Sequence, residues 1–228
     1  MHAIILAGGL GTRLRGAVPG LPKVLAAVAG RPFLTRLLDQ LAQADVRGVT
    51  LSTGYMAERV EAEIGLEWRG MPVSYSRETE PLGTGGALRL ALGRTPGDPF
   101  LAMNGDSYCA ADLSALRAFH HARAARATIL LTRAADTSRY GRVETGGDGT
   151  VLRFEEKGGL QTPGWINAGV YCLSRKMLED PPAGTPFSIE RDVFPALIGN
   201  GLYGFQGGGG FIDIGTPESY EEAQRFFS

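Results

Sequence analysis

The chain is 228 residues long, 43% hydrophobic and 21% charged, with a formal net charge of −1. That length suits one α/β domain with a substantial core, spanning residues 1–228. Near-neutrality excludes the electrostatic footprint of a nucleic-acid or anionic-membrane binder, so any phosphate must be held by locally placed groups.

Residues 2–7 read as a strand that starts directly after Met1, leaving no space for the charged region and cleavage site of a secretory leader. With no apolar run of membrane-spanning length, the expected location is the cytoplasm. The strand runs into Gly8-Gly9-Leu10-Gly11-Thr12-Arg13. Glycines here let backbone N–H groups converge on an anion, and Arg13 and Lys23 add positive charge beside them. The turn is not a P-loop, because no Gly-Lys-Ser/Thr follows. Nor is it the dinucleotide fingerprint, because Leu14 stands where a third glycine belongs. Read alone, it could be a bare strand-to-helix connection. A lysine is usually a solvated surface charge, but Pro22 stiffens the approach of Lys23 and favours a role on the same anion.

Helices are expected over residues 33–44, 57–64, 84–92 and 112–126, the last capped by Asp112, alternating with strands at 49–53, 73–75, 100–103 and 128–132. This alternation predicts a parallel sheet with crossover helices. His120 and His121 form no metal pattern with His2 and are expected on a helix surface. Cys109 and Cys172 lack ligand spacing and are expected as reduced, structural thiols. Beyond Ala135 the pattern changes: strands at 142–144 and 151–155 flank the hairpin-like turn Gly146-Gly147-Asp148-Gly149. A strand at 166–173 precedes a helix at 189–198, started by Ser188 and kinked or shortened by Pro195. Gly207-Gly208-Gly209-Gly210 is read as a loop beside the active site, ahead of Phe211-Ile212-Asp213-Ile214 and a closing helix at 217–227. The 33 glycines, about twice the usual ~7% share, gather at strand ends and point to a loop-built site.

Asp106 follows the strand at 100–103, at a carboxyl end of the inferred sheet, where open α/β folds bind ligands. Mg²⁺ prefers one or two carboxylates with phosphate oxygens and water. Asp213, alternating with apolar residues, is the partner expected, since such an acid needs a partner or a metal. Either acid alone is equally well explained as a turn or cap; with the phosphate turn they favour a nucleotide–metal site. Phe154-Glu155-Glu156-Lys157 and Ile166-Asn167-Ala168-Gly169 place acceptors, a cation and an amide at strand ends, suited to a sugar and a second phosphate. Read alone, Glu156 and Lys157 are a solvated hairpin edge.

These segments, in this order, resemble the sugar-1-phosphate nucleotidyltransferases from Met1 to about Tyr220. The resemblance rests on Leu6-Ala7-Gly8-Gly9, Gly11-Thr12-Arg13, Pro22-Lys23, Glu80-Pro81-Leu82-Gly83-Thr84-Gly85-Gly86, Asn104-Gly105-Asp106, Phe154 to Lys157, Asn167-Ala168-Gly169 and Asp213-Ile214-Gly215-Thr216. It implies a Rossmann-like α/β fold, a mixed, mostly parallel sheet flanked by helices, without the C-terminal β-helix of some members. It also implies Mg²⁺ and the reaction of NTP with sugar 1-phosphate to give NDP-sugar and pyrophosphate. Residues 1–133 would serve mainly the nucleotide and 134–228 mainly the sugar. Arg13 and Lys23 would act on the triphosphate as catalytic residues, and Leu6, Ala7, Gly8, Gly9, Gly11, Thr12, Glu80, Gly83, Thr84 and Asp106 would bind the nucleotide. Asp106 and Asp213 would hold the metal. Gly141, Glu156, Lys157 and Asn167 would take the sugar phosphate.

Glu80 falls in the family's base-reading region. A carboxylate accepts only, which suits the parallel N1–H and N2–H₂ donors of guanine better than the single N–H of thymine. With Arg139-Tyr140-Gly141-Arg142-Val143-Glu144 and Phe187-Ser188-Ile189-Glu190-Arg191-Asp192, the chain looks most similar to the bacterial heptose 1-phosphate guanylyltransferases of surface-glycan synthesis. Mannose-1-phosphate guanylyltransferases and N-acetylmuramate-1-phosphate uridylyltransferases share much of this pattern. GTP and a sugar 1-phosphate are the expected partners, with no nucleic acid or membrane; a homodimer is compatible. Retention of Lys23, Asp106 and Asp213 speaks against a non-catalytic nucleotide-sugar sensor on the same fold.

Overall fold

The computed structural model describes residues 1–14, 16–155, 161–179 and 184–228. The chain opens with β1 (Ala3–Leu6), then passes through a 3-10 turn at Lys23–Leu25 and the short ribbon β2 (Ala27–Val28) and β3 (Arg31–Pro32) before helix α1 (Phe33–Gln43). There follow β4 (Val49–Thr53), α2 (Ala57–Ile64), β5 (Glu67–Trp68), β6 (Met71–Arg77) and α3 (Gly83–Ala91). Next come β7 (Phe100–Asn104), β8 (Ser107–Cys109), α4 (Leu113–Ala122) and β9 (Ala127–Ala134). The second half holds β10 (Arg142–Thr145), β11 (Val151–Glu155), β12 (Gly164–Leu173), a π-turn at Ile189–Val193 running into α5 (Phe194–Leu197), β13 (Leu202–Phe205), β14 (Phe211–Asp213) and α6 (Pro217–Phe226).

Among the described residues a 10-stranded mixed sheet forms in the order β11-β10-β12-β7-β1-β4-β6-β5, with β9 pairing β12 and β13. Its centre, β7-β1-β4-β6, is parallel; β12 returns antiparallel to β7. Period-2 alternation builds a core on each face. Ala3, Ile5, Leu101 and Met103 face the cluster that α1, α2 and α4 complete with Leu37, Val60 and Leu116. Ile4, Phe100 and Ala102 face the opposite cluster with Leu88 of α3 and Phe194 of α5. The chain runs β1, β4, β6 to one side and then crosses back to β7 on the other side of β1, which puts the switch in strand order at the β1–β7 boundary.

Local signals explain three of the helical starts. Asp112 caps α4 by accepting from the N–H groups of Ser114 and Ala115, Ser188 caps the π-turn through Arg191 N–H, and Thr216 and Ser219 form a capping box on α6. Four expectations change. His120 is buried, 3% exposed, with Nδ1 3.0 Å from Thr128 Oγ1, because the face of α4 it occupies packs on β9 rather than facing water. Gly207–Gly210 is a loop leading to Phe211 at the cleft, but a packed one rather than an open one: Gly208 N–H donates to Leu131 and Gly209 N–H to Ala110, threading the backbone where side chains would not fit. The helix expected at 189–198 is a π-turn and one short α-turn, ended after Leu197. β13 was not anticipated, because Gly204 interrupts its apolar pattern. Cys109 and Cys172 are buried free thiols, as expected.

Candidate active site

At the carboxyl ends of β1, β4, β6 and β7 lies a cleft of about 1000 Å³. Both halves of the chain line it. Of the residues expected on the nucleotide side, Leu6, Gly8, Gly9, Arg13, Lys23, Glu80, Gly83, Thr84 and Asp106 reach it. Gly141, Asn167 and Asp213 line it from the second half. Ala7, Gly11 and Thr12 are not in the lining. Ala7 is buried with its N–H on Ser52, and Gly11 sits at φ +58° where a Cβ would come within 2.9 Å of Lys23 Cβ. Gly11 thus shapes the path of Lys23. Glu156 and Lys157 lie outside the described residues.

Lys23 begins the 3-10 turn behind Pro22, and its ammonium donates to Asp106 Oδ2 at 2.6 Å. The lysine side chain is 10% exposed, the aspartate 42%. Asp106 is positioned by the tight step after β7, where Gly105 N–H bonds to Leu6 O and a Cβ would lie 2.4 Å from that carbonyl. Asp213 stands beside it: it pairs in register with Ser107, and Ile214 N–H donates to Asp106 O at 2.9 Å. Arg13 reaches the same corner, with Nη2 3.8 Å from where a Gly215 Cβ would stand.

Burial pushes the Asp213 carboxyl up, but donors more than offset it. Tyr140 O–H donates to Oδ2 at 2.8 Å, Gly215 N–H and Ser219 O–H donate to Oδ1 at 2.6 and 2.9 Å, and Arg139 lies 3.7 Å from Oδ2. Asp213 is therefore held below the usual carboxylate range and is charged at neutral pH. Two hard oxygen donors, Asp106 in the turn between β7 and β8 and Asp213 at the end of β14, fit Mg²⁺. No group of three His, Cys, Asp or Glu gathers among the described residues, so the rest of its shell would come from phosphate and water.

The segment Glu80–Gly86 has a packing role that sequence alone did not reveal. Gly83 has φ +70°, and its Cβ would lie 2.5 Å from Phe187 O; Gly85 N–H donates to that same carbonyl at 2.9 Å. These glycines clamp α3 against residues 187–189. Glu78 is half-buried and its carboxyl is raised by burial, despite bonds from Leu82 N–H at 3.0 Å and Ser52 O–H at 3.5 Å. Glu80 is exposed on the cleft wall. Glu78 thus also holds the turn below, whereas Glu80 is the more exposed of the two carboxylates on this wall. Sequence reasoning quoted Arg139, Tyr140 and Glu190 without assigning them. The signal available was only their closeness in sequence to Gly141 and Ser188.

A central parallel sheet, a glycine-rich turn after its first strand and two neighbouring aspartates by its switch point are the arrangement of a nucleotidyl-transfer fold. The nucleotidyl transferase family profile matches residues 2–228, and the chain belongs to that family. It is 38% identical over 226 residues to the D-glycero-alpha-D-manno-heptose 1-phosphate guanylyltransferase of Aneurinibacillus thermoaerophilus, covering 99% of this chain and 97% of that protein. It is also 38% identical over 224 residues to the mannose-1-phosphate guanylyltransferase of Mycobacterium tuberculosis, covering 96% of this chain but 62% of that protein. The chain therefore spans less than two thirds of that longer relative. The crystal structure of HddC from Yersinia pseudotuberculosis complexed with GMP-PN superimposes with TM-score 0.86 at 35% identity, covering 100% of this chain and 99% of the other. No helix among the described residues is long and apolar enough to cross a membrane.

Proposed function

We propose that the protein transfers a guanylyl group from GTP to D-glycero-α-D-manno-heptose 1-phosphate, releasing pyrophosphate and forming GDP-heptose for bacterial surface-glycan synthesis in the cytoplasm. Mannose 1-phosphate is the alternative acceptor. The observation that carries this reading is the cleft in which Arg13 and Lys23 meet Asp106 and Asp213 at the switch point. The guanylyltransferase names of relatives aligned over nearly the whole chain, and the exposed Glu80, support the choice of base.

The attacking sugar-phosphate oxygen is already anionic at neutral pH, so no general base is required. The P–O bond to pyrophosphate breaks as the new bond to the α-phosphorus forms. The difficulty is bringing two polyanions into line, and the chain meets it with positioned positive charge. Gly8 and Gly9 would present backbone to the phosphates, Arg13 the outer phosphates, and Lys23 the α-phosphate. Mg²⁺ held by Asp106 and Asp213 would supply further charge neutralisation. Asn167 and the Gly141 backbone would orient the sugar, with Glu156 and Lys157 completing the acceptor side. Residues 1–133 would thus serve mainly the nucleotide, and 134–228 the sugar.

Pyrophosphate release across a matrix of NTPs and sugar 1-phosphates tests this. GTP with a manno-configured sugar 1-phosphate is the expected productive pair, and Glu80→Gln should shrink the preference for GTP, because a mismatched base leaves polar groups unpaired. Wild-type protein that chooses UTP or dTTP would overturn the guanine assignment.

A further inference from the structure

Glu190 faces the cleft, and the roles above leave it without a task. Its Oε2 accepts from Thr84 Oγ1 at 2.6 Å and from Ser188 Oγ at 2.7 Å, and its Oε1 accepts from the Tyr171 hydroxyl at 3.3 Å. Each of these hydroxyls is also occupied from the other side. Thr84 Oγ1 accepts from Ile189 N–H at 3.0 Å, Ser188 Oγ from Arg191 N–H at 3.3 Å, and the Tyr171 oxygen from Asn167 Nδ2 at 2.9 Å.

A hydroxyl carries one proton and can send it in one direction only. The carboxylate oxygens accept here, so the three protons are aimed at Glu190, and the 3.5 Å contact from Thr84 Oγ1 to Ser188 Oγ is the longer alternative for one of them. Tyr171 is fully buried, and burial, followed by the Glu190 charge, pushes its phenol well above the usual value, so it keeps its proton. With the Tyr171 proton committed, its oxygen can only accept from the Asn167 amide. That fixes which end of Asn167 is nitrogen, and Oδ1 turns to Gly169 N–H at 2.9 Å. Thr84 belongs to α3 on the nucleotide side, and Asn167 to β12 on the sugar side. A bare structural link between hydroxyls would be served as well by a neutral amide, without the cost of desolvating a charge.

We propose that Glu190 is a positioning residue that orients Thr84 and, through Tyr171, Asn167, so that the nucleotide and acceptor subsites are set by one carboxylate. This rests on the guanylyltransferase reading above. It goes beyond it by assigning coordination between subsites to a residue of the Phe187–Asp192 segment.

The test is two-substrate steady-state kinetics on wild type, Tyr171→Phe, Glu190→Gln and Glu190→Asp, with thermal unfolding of each. Tyr171→Phe cuts only the branch to Asn167, so it should raise KM for the sugar 1-phosphate about tenfold and leave KM for GTP within about twofold. Glu190→Gln must aim its NH₂ at one branch and should raise both KM values. Glu190→Asp, which keeps the charge, should recover part of that loss. A lowered unfolding temperature with wild-type KM values would reduce the network to structure and overturn the proposal. If Glu190→Gln does not fold, the KM ratio of Tyr171→Phe decides alone. Wild type silent with every NTP and sugar phosphate overturns the underlying reading; an active wild type with unchanged KM values in the variants overturns only the inference.

Discussion

The ammonium of Lys23 sits 2.6 Å from Asp106 in a partly enclosed corner, where charge is screened less than at an open surface. If Lys23 acts on the α-phosphate, its effect grows as charge redistributes in the transition state. Lys23→Ala should then lower kcat by about a hundredfold or more while changing KM for GTP much less. Steady-state kinetics checks this, and a raised KM at constant kcat would mark Lys23 as a plain binding contact. This pair was legible in the sequence as two separate signals, a lysine behind a proline and an aspartate after a strand. Their contact was not, because it depends on how the crossing at the β1–β7 boundary brings together residues 83 positions apart. Asp213 was legible for the physical reason that an acid among apolar neighbours needs donors, and the structure supplies them from Tyr140, Gly215 and Ser219.

At the scale of elements, β4, β11 and α2 were readable to the residue, because their apolar periodicity is bounded by glycine or polar caps. Residues 189–198 were not, since periodicity cannot distinguish a π-turn from an α-helix when a proline follows. The glycines divide in the same way. Gly83 is fixed by packing: with φ +70° and Phe187 O only 2.5 Å from a new Cβ, Gly83→Ala should cost at least about 2 kcal/mol. Gly9 faces open space within the cleft, so Gly9→Ala should leave stability within about 0.5 kcal/mol and weaken nucleotide binding instead. Urea unfolding and GTP titration on the two variants separate the roles. A stable Gly83→Ala protein would place the clamp between α3 and Phe187 elsewhere.

For the molecule as a whole, His120 links stability to pH. Burial, with His121 adding to it, pushes its imidazole from 6.5 to about 4. The unfolded chain then binds the proton that the folded chain refuses. Stability is full above about pH 6.5 and falls as pH drops toward 4, by up to about 3 kcal/mol. His120→Gln, which can keep the bond to Thr128, should flatten that slope, and urea unfolding at pH 7 and pH 5 would show it. An unchanged slope would move the acid sensitivity to other groups.

Strand order carries a different consequence, one of timing. β1 lies inside the sheet, with partners that come much later in the chain: Ala3 pairs with Val49 on one side and with Leu101 on the other. β1 therefore has no complete set of neighbours until β7 has been made, and the antiparallel return of β12 comes later still. Such non-local pairing closes long loops before contacts reward them, which slows folding. The Gly8–Gly11 turn and the aspartate corner must then acquire their shape together, and only once the segment around Asp213 has joined them.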